Sequence, residues 1–104
     1  MQLTVDISTF EEQQAIFISE IVERIRVKLQ EAGVEPEKWE DLTASIALSI
    51  AGVIDDTAGI EVDGVELRPY LTFRIADDQA VHCGENSYTY DFVYDAMKKL
   101  FHAE

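Results

Sequence analysis

His82 and Cys83 are neighbours whose chemistry invites a catalytic reading. A thiolate nucleophile works with a base within hydrogen-bonding reach. The segment Ala80–Cys83 reads as a strand, however, and successive strand residues point to opposite faces. The two side chains are therefore expected to stay apart, with Cys83 a small buried residue and His82 at the surface. His102 stands near the end of the chain and makes a poor replacement base. No catalytic residue is assigned.

Tyrosine and arginine offer a second kind of chemistry. Tyr88, Tyr90 and Tyr94 cluster near the start of the last predicted helix, and Tyr70 and Arg74 share one face of a predicted strand. These residue types are enriched at binding surfaces because each joins an apolar body to a polar end. Tyr70, Arg74, His82, Tyr88 and Tyr90 are the expected ligand-binding set, at a sheet–helix junction. Amphipathic rings closing the edge of the core are the equally simple structural reading.

Carboxylates occur in pairs: Asp55-Asp56, Asp77-Asp78, and Asp91 with Asp95, four apart on a helix. Oxygen-rich clusters suit calcium or magnesium. The twelve residues from Asp55 to Glu66 nonetheless fail the calcium-loop pattern: Thr57, Gly59 and Glu61 occupy alternate positions and Ile60 stands sixth, where glycine is needed. Turns, helix ends and solvated charge account for these acids. Two histidines and one cysteine fall in no paired ligand spacing. No metal and no cofactor are expected. The five glycines are scattered, and neither a phosphate loop nor a nucleophile elbow is present.

The elements that must position these residues follow from periodicity. Leu3, Val5 and Ile7 alternate with polar residues as a short strand. Ser8 or Thr9, with Glu11 or Glu12 behind it, makes a capping box for a helix over Phe10–Ala32. Its apolar stripe holds Phe10, Phe17, Ile18, Ile21, Val22, Ile25 and Leu29. Gly33 stops it. A second helix starts near Pro36. Trp39, Leu42, Thr43, Ile46, Ile50, Val53 and Ile54 form one of its faces. Ala44, Ser45, Ala47, Leu48, Ser49, Ala51 and Gly52 form another that carries no charge. A helix uncharged all round is normally buried on most sides, so this one is either central to the domain or shared with a partner. Ala44, Ala47, Leu48 and Ala51 are the expected interface.

Asp63-Gly64 sits between short alternating runs within Ile60–Leu67, a hairpin signal. Tyr70–Ile75 and Ala80–Cys83 read as two further strands, and Tyr90–His102 as the last helix, capped by Asn86, Ser87 or Thr89. The expected fold is one α+β domain over residues 1–104, a small antiparallel sheet of three to four strands against three helices, in the order β-α-α-β-β-β-α.

Apolar residues make up 47 % of the 104, enough for one core without metal or disulfide staples. Acids outnumber bases by 21 to 8, giving a net charge of −13, divided evenly along the chain. Such a surface argues against nucleic acid and anionic membrane, whose binding needs Lys and Arg, and would attract basic proteins. A single cysteine excludes an intrachain disulfide and suits a reducing compartment. Met1–Asp6 lacks the basic-then-apolar pattern of a secretory signal. A cytoplasmic, non-enzymatic interaction protein, a homodimer, is the first expectation. An inhibitor or immunity-type binder of a basic protein such as a nuclease is the second. A small-ligand or enzymatic domain with a pocket at the sheet–helix junction is the third.

Overall fold

The computed structural model describes residues 1–103. Asp6 separates the first strand, β1 (Gln2–Val5), from the long helix α1 (Ile7–Glu31). Its carboxylate accepts from the Thr9 backbone N–H at 3.1 Å and from the Thr9 hydroxyl at 2.8 Å. Asp6 is thus the cap, in place of Ser8 or Thr9. The two bonds hold its carboxyl below the usual carboxylate range, since they favour the charged form. Ile7 consequently belongs to the helix and not to the strand.

A 3₁₀ turn over Pro36–Lys38 leads into α2 (Trp39–Ile54). The Trp39 indole N–H donates to the Val34 carbonyl at 2.8 Å, and the Arg26 guanidinium lies over its ring. These contacts close the α1–α2 connection. Next come β2 (Ile60–Val62), β3 (Val65–Leu67), β4 (Phe73–Ala76), β5 (Gln79–His82) and α3 (Thr89–Phe101). The fold is α+β, as expected, with four strands between α2 and α3 because the hairpin contributes two.

The strands form two sheets, not one. β1, β5 and β4 make a three-stranded sheet in the order β1-β5-β4, and β2 with β3 makes a separate hairpin. The main sheet is mixed: β4 and β5 are antiparallel, whereas β1 runs parallel to β5. A parallel pair needs a long crossover, which here takes in both long helices and the hairpin. Thr4, Val81 and Phe73 are partners across the sheet and so share a face; Leu3, Ala80 and Arg74 share the other. The first face meets α1, where Phe10 and Phe17 lie 5.3 and 5.7 Å from the Phe73 ring.

Further along α1, Ile18 and Val22 enter a second core with Ala47 and Ala51 of α2 and Val93, Ala96 and Met97 of α3. α1 therefore serves both layers, one end on the sheet and the other in a three-helix cluster. In the hairpin, Asp63 and Gly64 both have positive φ, 51° and 79°, as the tight turn requires. Arg68, just beyond β3, ties the base of the hairpin to Asp56 at 2.9 Å.

Candidate functional site

The five expected ligand-binding residues divide among three places. The Tyr70 hydroxyl lies 2.6 Å from His82 Nδ1, with the rings edge to face. The Gly84 backbone N–H donates to the same nitrogen at 3.3 Å. Nδ1 is thus placed to accept from the Gly84 N–H. His82 is the partner of Val5 and lies on the outer face of the main sheet, with Arg74 on the same face one strand away. Tyr88 is elsewhere, against α1: its hydroxyl donates to Glu11 at 2.9 Å and its ring meets Phe10 and Phe92. Burial, and then the bond to Glu11, push its phenol up to about 12. Tyr90 packs edge-on against Tyr94 on exposed α3. The substantial surface grooves on α1, of about 560 and 390 Å³, are lined by none of these five residues.

Cys83 is buried and its thiol donates to the Glu85 carbonyl at 3.0 Å. The His82 ring is engaged by Tyr70 and Gly84 instead. The neighbours thus form no nucleophile–base pair.

Asp55 has a defined structural task. It is 4 % exposed and accepts from the Ser87 hydroxyl at 2.6 Å, the Thr89 hydroxyl at 2.8 Å, the Thr89 N–H at 3.0 Å and the Tyr90 N–H at 2.9 Å. The carboxylate that closes α2 also caps α3, where free N–H groups and the helix dipole favour a negative charge. Nearby, the fully buried Gln14 accepts from the Tyr88 N–H at 2.8 Å. Asp77 and Asp78 form the β4–β5 turn, and Asp91 and Asp95 lie on exposed positions of α3. Among the described residues, no cluster of three or more His, Cys, Asp and Glu is placed to hold a metal, and no helix is long and apolar enough to cross a membrane.

The two sides of α2 reverse the expected assignment. Ala47 and Ala51 are wholly buried in the three-helix core, and the half-buried Ala44 and Leu48 pack against it. The residues expected at an interface thus face the interior of the domain, the alternative that the uncharged helix also allowed. The small size of Ala47 and Ala51 lets α1 and α3 approach the α2 backbone closely. The large side chains are left outside: Leu42, Ile46, Ile50 and Val53 are 36–43 % exposed.

Ile46 and Ile50 form one wall of a groove of about 390 Å³, and Ile21, Ile25 and Leu29 of α1 form the other. Arg24 and Lys28 stand at its rim. Among the described residues, each is held by an exposed ion pair on its own helix, Arg24 to Glu20 and Lys28 to Glu31. Such pairs are weak and exchange readily. A groove of this kind can receive an apolar partner surface. The sequence did carry a signal for it, since Leu42, Ile46, Ile50 and Val53 recur at spacings of four, four and three on one side of a helix whose other side is also apolar.

Comparison with known protein families, characterised proteins and solved structures returns no match.

Proposed function

We propose that this protein is a non-enzymatic, self-associating interaction module, and that its contact surface is the large-residue side of α2 with the adjoining α1 groove. The observation that carries this reading is the exposure of Leu42, Ile46, Ile50 and Val53 as one row beside the groove. Contiguous apolar surface of this kind marks interaction sites.

The dimensions leave exposed surface enough for a standard interface. The radius of gyration is 15.5 Å, against about 13 Å for a compact domain of about 100 residues. The accessible surface is 6983 Å², whereas a folded monomer of this mass is expected to expose about 5,900 Å². The excess, on the order of 1,000 Å², is comparable with the roughly 800 Å² that each partner gives to a standard interface. The buried, reduced Cys83 fits a reducing compartment such as the cytoplasm.

Light scattering coupled to gel filtration tests the reading. The expected result is a dimer at micromolar concentration that Ile46→Glu or Ile50→Glu converts to a folded monomer. Circular dichroism checks that the helices survive. A wild-type chain that stays monomeric at high micromolar concentration overturns the proposal.

A further inference from the structure

The main sheet has two borders, β1 and β4, and they differ. On β4 the charged Arg74 and a break in register between Arg74 and Ala76 blunt the edge, two devices that keep a strand from pairing further. β1 has neither. Gln2-Leu3-Thr4-Val5 holds an unbroken register against β5, carries no charge and no proline, and is exposed along its whole length.

The hydrogen bonds show which groups that edge offers. The Gln2 N–H donates to the Asp78 carbonyl at 2.7 Å and the Asp6 N–H to the His82 carbonyl at 3.0 Å. Alternate residues of a strand bond to the same neighbour, so Gln2, Thr4 and Asp6 face β5. The N–H and C=O groups of Leu3 and Val5 face the open side, and no described strand pairs with them. Their side chains, 55 % and 56 % exposed, lie on the outer face of the sheet.

We infer that β1 pairs antiparallel with β1 of a second copy, with Thr4 on the two-fold axis. In this register Leu3 of each copy stands opposite Val5 of the other, and the pair exchanges N–H and C=O bonds in both directions. Leu3 and Val5 meet across the outer face, and the Thr4 side chains meet on the inner one, both favourable cross-strand pairs. Charge selects a copy of this chain as the occupant. Two molecules of net charge −13 approach with least repulsion where acids are missing. Asp6, the nearest charge, falls opposite Gln2 of the other copy and not opposite its own counterpart. The contact does not rest on the α2 surface proposed above, which belongs to the helical layer. It is also smaller, at the low end of specific interfaces, and its expected dissociation constant is about 0.1–1 mM.

NMR of the Ile46→Glu chain tests the pairing with the α2 contact removed. Solvent exchange of the Leu3 and Val5 amides is expected to be about two- to fivefold slower near 1 mM than in dilute solution, by mass action. A mixture of isotope-labelled and unlabelled chains should give an intermolecular contact between Thr4 α-protons, which lie close in a pair that exchanges no hydrogen bonds. Leu3→Pro removes an outward N–H while leaving the bonds to β5, a position where proline is tolerated, and Val5→Lys charges the edge. Each should abolish both signals with circular dichroism unchanged. Exchange rates independent of concentration overturn the inference. So does an intermolecular contact that joins other residues, or a concentration effect that survives both edge variants. None of these outcomes bears on the α2 dimer, which is judged at micromolar concentration in the wild-type chain.

Discussion

At the residue scale, Asp55 carries the most connections of any acid described. Its four donors come from Ser87, Thr89 and Tyr90, at the entry to α3. Asp55→Ala leaves two hydroxyls and two helix-terminal N–H groups without their acceptor. The expected cost is about 2–4 kcal/mol of folding stability, combining a lost cap with buried donors left unmet. Asn in the same place keeps one carbonyl oxygen and should cost less. Urea unfolding monitored by circular dichroism measures both, and a loss below about 0.5 kcal/mol for Asp55→Ala would show that the network is idle. The sequence placed Ser87 and Thr89 at this helix start, correctly as to position. It assigned them as caps because capping patterns are local. The real acceptor comes from the end of the preceding helix, and no spacing rule links Asp55 to Thr89. Asp6 is a milder case: any of Asp6, Ser8 and Thr9 suits a cap, and only the end of β1 at Val5 decides among them.

At the scale of elements, the hairpin and α2 behave oppositely. The Asp63-Gly64 turn was legible because positive φ at two adjacent residues has a narrow chemistry. Gly64→Val puts a β-branched residue at φ 79°, which should melt the hairpin locally. Since the hairpin stands apart from both cores, thermal unfolding of the rest is expected to shift by less than about 1 kcal/mol. A large loss of overall stability would mean that the hairpin is integral to the domain. For α2 the periodicity was legible but its orientation was not. Two apolar sides satisfy a burial argument equally, and volume breaks the tie. Ala47 and Ala51 admit two neighbouring helices, whereas Ile46 and Ile50 would hold them apart. That choice depends on three bodies packing at once, which a helical period does not encode.

At the scale of the molecule, composition was informative about class and silent about assembly. The acidity is even in the sequence, yet two cations border the largest-residue groove of the helical layer. The division into two sheets was not legible, because strand pairing is decided by contacts between distant segments. Self-association has a thermodynamic signature that needs no mutation: dimer unfolding is concentration-dependent. A tenfold rise in protein concentration is expected to raise Tm by about 3 °C for a chain of this size. A Tm independent of concentration between low and high micromolar would count against a dimer held together through folding.

The parallel pairing of β1 with β5 has a consequence for the order of events during synthesis. A chain leaves the ribosome N-terminus first, so β1 emerges before β5. Its hydrogen-bonding partners lie at Gln79–His82, 77 residues further along. Throughout translation Leu3 and Val5 therefore travel on an unpaired strand, and Phe10 and Phe17 lack the Phe73 ring that meets them in the finished sheet. The helical layer waits too, since Val93, Ala96 and Met97 arrive later still. The sheet can close only after β5 has emerged, and the helical layer only after α3.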